Sequence, residues 1–155
     1  GSGDYLESLK LKASNLNNIV FPGWMEKKML DALASMSIAS LAPYKDINNY
    51  ILNTPNKIVD SLRLGLPLLC PLSGEVENII KTYNVGYKYG KDLSLTSAIM
   101  QLIDNPRKRS TMANNASNLY KADFEYHAVY DQMISFMEEF RNDWLQRNWE
   151  KKIWW

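Results

Sequence analysis

The chain has 155 residues, 46% of them apolar, which is the length of one ordinary domain and enough to pack a core. Its 18 basic and 17 acidic side chains leave a net charge of +1, which argues against a nucleic-acid module working through overall positive charge and against an acidic disordered tail. The single cysteine, Cys70, excludes an internal disulfide and a multi-thiolate metal site, and no uncharged stretch approaches the about 20 residues of a membrane-spanning helix. No signal-peptide pattern opens the chain, so the expectation is a soluble, cytoplasmic protein.

Taken in chain order, Gly1-Ser2-Gly3-Asp4 reads either as a cloning scar or as a glycine turn before a helix over Tyr5–Ala13. After the Asn-rich turn Asn15–Asn18, Ile19–Trp24 is a short β-rich run. Met25, Met29, Leu30, Leu33 and Met36 then follow helical spacing. Ser37–Pro43 reads as a strand closed by proline. Thr54 suits an N-cap with Pro55 in the first helical position, where its missing N–H costs nothing. That helix ends at Gly65, a good residue just past a helix end. The apolar run Pro67–Leu72 suits a parallel strand buried on both faces. Ser73-Gly74 turns into a helix over about Glu75–Tyr83, Asn84–Gly90 holds another short strand, and Pro106 opens a new helix in an otherwise helical remainder.

Four strands, each followed by a helix, predict an α/β fold: a Rossmann-like parallel sheet with helices on both faces and a helical C-terminal tail. Ligands of such sheets bind beyond the carboxyl ends of the strands. Two loops there can carry chemistry. One delivers Thr54, Asn56 and Lys57 to a helix N-terminus, where free N–H groups and the helix dipole attract an anion. Asp60 lies one turn further along the same face, suited to sugar hydroxyls. The other loop places Ser73, Gly74 and Glu75 at the next helix N-terminus, with Gly74 permitting close backbone approach to a ligand. The ordinary structural readings carry equal weight: Thr-Pro as a cap, Ser-Gly as a turn, and Lys57 with Asp60 as a solvated pair.

The stretch Thr54–Gly90 resembles the C-terminal donor-binding domain of GT-B glycosyltransferases, in the retaining family usually numbered four. Pro55, Asn56, Lys57, Asp60, Gly65 and Pro67 occupy the positions of that family's P-N-K-hydrophobic-x-E-x-x-x-x-G-x-P pattern, with Gly74 in the following turn. Asn18–Tyr44 is similar to its strand–Gly–helix–strand segment, and the likeness covers about residues 1–140. It implies a domain over 1–140; by composition the remaining residues, 141–155, form a Trp-rich basic amphipathic tail. The resemblance further implies transfer of a sugar from a nucleoside diphosphate to a glycan or lipid-linked acceptor, without a cofactor or a bound metal, while the charge balance argues against a nucleic-acid partner. By the same resemblance Asp60 holds the ribose, while Asn56–Lys57 and Ser73-Gly74 lie against the diphosphate and sugar. A second family acid, eight positions before Asp60, is Leu52 here, leaving Asp46 or Asn53 as replacements. The family's upstream Arg and Lys, and its N-terminal acceptor domain with a catalytic-site histidine, would precede Gly1. The expectation is therefore a donor half with no catalytic residue of its own, not competent alone.

The remaining features have plain readings. His127 is a surface or packing residue and Cys70 a small buried hydrophobe. Tyr83, Tyr87 and Tyr89 pack around the last strand or, alternatively, stack on a base. No Walker loop, intact dinucleotide fingerprint or zinc spacing occurs. The tail carries Trp144, Trp149, Trp154 and Trp155 with Arg141, Arg147, Lys151 and Lys152. It either packs against another domain or lies peripherally on a membrane. Two alternatives to the transferase stand: a non-catalytic Rossmann-like module docking a protein partner or membrane through this tail, and a nucleotide-sugar epimerase.

Overall fold

The protein is described by a computed structural model covering residues 3–149, with the backbone alone for 48, 49, 148 and 149. The chain divides into two units, Gly1–Ser37 and Ile38–Trp155. The first holds α1 (Leu6–Lys12) and α2 (Lys27–Ser35). In α1 the Lys10 ammonium meets Glu7 at 2.8 Å one turn back, and the last turn closes through Ala13 N–H onto the Leu9 carbonyl. Between the helices, Ile19–Trp24 is an exposed loop rather than the expected strand. Pro22 offers no N–H to a ladder, and Gly23 turns the backbone to φ +73°.

The second unit is an α/β layer structure. In order it contains β1 (Ser40–Leu41), α3 (Asn48–Ile51), α4 (Asn56–Arg63), β2 (Leu68–Cys70), α5 (Glu75–Tyr83) and β3 (Gly86–Lys88). Then come α6 (Leu95–Asp104), α7 (Pro106–Leu119), a π-helical turn over Tyr120–Phe124 and α8 (Tyr126–Trp149). Among the described residues the sheet has three strands, not four, in the order β1-β2-β3, all parallel. Ser40 pairs with Leu68, and Leu68 with Gly86. Short strands suffice because all three residues of β2 are buried, as a parallel strand covered on both faces requires.

Alternation along β2 divides the core. Leu68 and Cys70 join Ile58 and Leu62 of α4, Val76, Ile79 and Ile80 of α5, and Ala116 and Leu119 of α7. Leu69 points the other way, to Ala98 and Leu102 of α6 and Met112 of α7. Helices therefore cover both sides of the central strand.

The local chemistry of the ends explains the boundaries. Gly65, at φ +62°, follows α4, with its N–H on the Leu62 carbonyl and the Leu66 N–H on the Ser61 carbonyl. This is the paired closure that a left-handed residue permits. At the other end α4 begins at Asn56, with Pro55 in the cap position at ψ 146° and no side-chain cap bond. Thr54 is therefore not the N-cap expected, because Pro55 takes the extended ψ of a cap residue rather than a helical one. Ser94 does cap α6, accepting from Ser97 N–H at 3.0 Å. The Asn115 amide donates to the carbonyls of Tyr83 and Asn84, closing α5 where Asn84 turns left-handed. No helix among the described residues is long and apolar enough to cross a membrane.

Candidate functional site

All three strands point their carboxyl ends toward one edge of the sheet, and the loops leaving that edge carry a connected set of polar side chains. Asp46 lies in the loop after β1, Ser73 in the turn after β2, and Lys88 is the last residue of β3. Asp46 accepts the Ser73 N–H at 2.9 Å on one carboxylate oxygen and the Ser73 hydroxyl at 2.7 Å on the other. Lys88 Nζ donates to Ser73 Oγ at 3.0 Å and to Glu77 Oε2 at 2.7 Å. Glu77 also holds Lys81, one turn along α5, at 2.6 Å.

The ionisation of the two acids follows from these bonds. The Ser73 N–H, then the Ser73 hydroxyl, hold the Asp46 carboxyl below the usual range. Hydrogen bonds from Lys81 and then Lys88 do the same for Glu77. In each case the bond favours the charged form. The cluster therefore presents two carboxylates, two ammonium groups and one hydroxyl whose proton points to Asp46 while its oxygen faces Lys88.

The turn into α5 depends on one glycine. Gly74 has φ 72° and ψ −132°, a conformation that L side chains rarely adopt. A Cβ there would sit 2.5 Å from both the Ile51 carbonyl oxygen and its Cγ2. The close approach that Gly74 permits is made by Ile51 of the chain itself, three residues ahead of Thr54.

The other residues singled out from sequence fall into two groups. Thr54, half-buried, and Asn56 and Lys57, both exposed, surround the start of α4. Asp60 is exposed one turn on, and its ion partner is Arg63 at 4.0 Å rather than Lys57. Ser73, Gly74 and Glu75 form the start of α5, with Ser73 inside the polar cluster and Glu75 exposed. Contact between Ile51 and Gly74 brings the segment leading into α4 beside the start of α5. Asp46, offered from sequence as a replacement for the acid expected at position 52, joins the cluster. Lys88 and Glu77 were not singled out from sequence. Their signal is a lysine flanked by tyrosines at the end of a short parallel strand, where a charge needs a partner.

Tyr87 and Tyr89 pack against the α6 side of the core, and Lys108 lies 4.9 Å above the Tyr87 ring. The Tyr87 hydroxyl is buried without a hydrogen-bond partner among the described residues. His127 is exposed, its ring edge-on to Tyr126 at 5.4 Å. Cys70 is fully buried and burial raises its thiol pKa. Among the described residues no group of three or more His, Cys, Asp or Glu could hold a metal ion. Comparison of the chain with protein-family models, with curated proteins and with solved structures gives no significant match.

Proposed function

We propose that the carboxyl edge of this sheet binds a nucleoside-diphosphate sugar, and that the protein is the Rossmann-like, GT-B-type donor-binding domain of a glycosyltransferase acting on a glycan or lipid-linked acceptor. The observation that carries the reading is the convergence of Asp46, Ser73 and Lys88, one from each strand end, at the start of α5. Strand carboxyl ends followed by helix N-termini are where parallel α/β sheets take anionic nucleotide ligands. The likeness of Thr54–Gly90 to the family's donor-binding segment supplies the nucleotide sugar as ligand.

In this reading the Asp46 carboxylate occupies the place an incoming phosphoryl oxygen takes: it accepts the Ser73 N–H and hydroxyl beside the Lys88 ammonium. A diphosphate displaces Asp46 from Ser73 and keeps Lys88 as its counter-charge. Asn56 and Lys57 at the start of α4 complete the anion site, and Asp60, exposed one turn further on, receives the ribose hydroxyls. During transfer, negative charge grows on the departing diphosphate, and donors already aimed at it lower the barrier.

Calorimetric titration with UDP, GDP and ADP tests the proposal. One nucleotide should bind saturably, Lys88→Ala and Asp60→Ala should each weaken it about tenfold or more, and Asp46→Ala should not. Absence of saturable binding by all three, or binding indifferent to Lys88 and Asp60, overturns it.

A further inference from the structure

The helix α8 carries an apolar seam that the rest of its unit leaves in solvent, and this feature lies apart from the nucleotide edge. Tyr126, Tyr130, Met133, Met137, Phe140 and Trp144 follow one another at steps of four and three residues. That is a period of 3.5, which keeps one stripe facing a parallel or antiparallel partner helix rather than drifting around the cylinder. Phe136, Met137 and Phe140 remain 67%, 60% and 64% exposed, and they line a shallow cleft of ≈ 470 Å³ with Arg141 and Trp144.

Two observations decide the occupant. At roughly 200 Å² for a large side chain, the exposed fractions of the six seam residues and Phe136 amount to about 800 Å², one partner's share of a standard interface at about 800 Å². Charge is distributed unevenly along the same segment. Residues 123–139 hold five acidic side chains (Asp123, Glu125, Asp131, Glu138, Glu139) and no Lys or Arg, a net −5; residues 141–149, the last turns of α8, hold two basic and one acidic side chain (Arg141, Arg147, Asp143), a net +1. An antiparallel copy sets Asp123 and Glu125 of one chain beside Arg147 of the other, leaves only Asp131 level with a like charge, Glu139, and opposes the two helix dipoles favourably. A parallel copy would set like charge on like. A negatively charged membrane is disfavoured by the acidic half.

We infer that α8 is a homodimerisation helix, pairing antiparallel with α8 of a second copy of this chain. In full overlap Tyr126 lies level with Trp144 of the second copy, Tyr130 with Phe140, and Met133 with Met137, so every seam residue has an apolar counterpart.

Sedimentation equilibrium of the full chain at about 100 μM should give twice the 17.9 kDa protomer mass. Phe140→Glu, at an exposed position, should weaken association at least tenfold while leaving the far-ultraviolet circular dichroism unchanged, and Met133→Glu should do the same. A nitroxide attached at Gln146→Cys reports direction. At about 1.5 Å per residue, antiparallel full overlap separates the two labels by about 33 Å along the helices, whereas parallel pairing leaves them about 10 Å apart. A monomer at that concentration overturns the inference, whether or not it binds lipid vesicles or another protein. So does a dimer indifferent to both glutamates, or a label distance near 10 Å.

Discussion

Asp46 grips Ser73 with both carboxylate oxygens, at 2.9 Å to its N–H and 2.7 Å to its hydroxyl, across 27 residues of sequence. This contact joins the loop after β1 to the turn after β2, so it is both a tie between strand ends and a charge placed at the start of α5. Its pH dependence has a defined sign. The folded-state pKa of Asp46 is lowered, first by the Ser73 N–H and then by its hydroxyl. The unfolded chain therefore binds the proton more readily, and the stabilisation is present above the unfolded value of about 3.9 and lost as pH falls through the folded value. Urea denaturation of wild type and Asp46→Asn should show a wild-type advantage at pH 6 that shrinks as pH falls below about 4. A constant difference across that range would mean the carboxylate charge does not matter here.

Gly74 sets a second constraint at the same turn. Its backbone lies in a region that side chains avoid, and the Cβ of an alanine would fall 2.5 Å from the Ile51 carbonyl oxygen. Strain of about 1–3 kcal/mol from the backbone, with the steric clash added, is expected for Gly74→Ala. Chemical denaturation should reveal it, and displacement of Ile51 would appear as altered backbone amide shifts in α3. A loss under about 0.5 kcal/mol would show that the turn relaxes freely.

The division of the core by β2 gives a third expectation. Leu68 is fully buried between α4 and α5, while Leu52 is 81% exposed. Leu68→Ala should cost about 2–5 kcal/mol through lost burial and the cavity left behind. Leu52→Ala should stay within about 0.5 kcal/mol. Urea midpoints for the two variants compare these values directly.

Much of the second unit was legible from local pattern. Gly65 after a helical run, the wholly apolar Pro67–Leu72, Ser73-Gly74 before a helix and Pro106 at a helix start each locate a boundary by a backbone property of one residue. The run Ile19–Trp24 misleads because its β-prone side chains say nothing of Pro22 and the positive φ of Gly23, which remove it from any ladder. The four-residue α3 and the π-helical turn at Tyr120–Phe124 lack a period long enough to read. At the candidate site, Ser73 and Gly74 are visible as a turn. The partnership of Asp46, Lys88 and Glu77 is not, because these residues meet across 11 to 27 positions only once three strands align.

Cys70 supplies the last test, a probe of the sheet itself. It is the final residue of β2, fully buried, and burial raises its thiol pKa, with the Leu72 N–H acting in the opposite direction. Only the thiolate reacts, and only when reagent reaches it. Native protein at pH 8 should therefore be modified by a disulfide reagent far more slowly than the urea-unfolded chain. Because Tyr89 donates its N–H to the Cys70 carbonyl and both neighbouring strands pair with β2, access requires the sheet to open. The logarithm of the modification rate should then rise in Gly74→Ala and Leu68→Ala in proportion to their lost stability, about tenfold per 1.4 kcal/mol, if opening is global. Rapid labelling of the native wild type would instead mean that β2 is reached by a local opening beneath its carboxyl edge, where Asp46 holds Ser73.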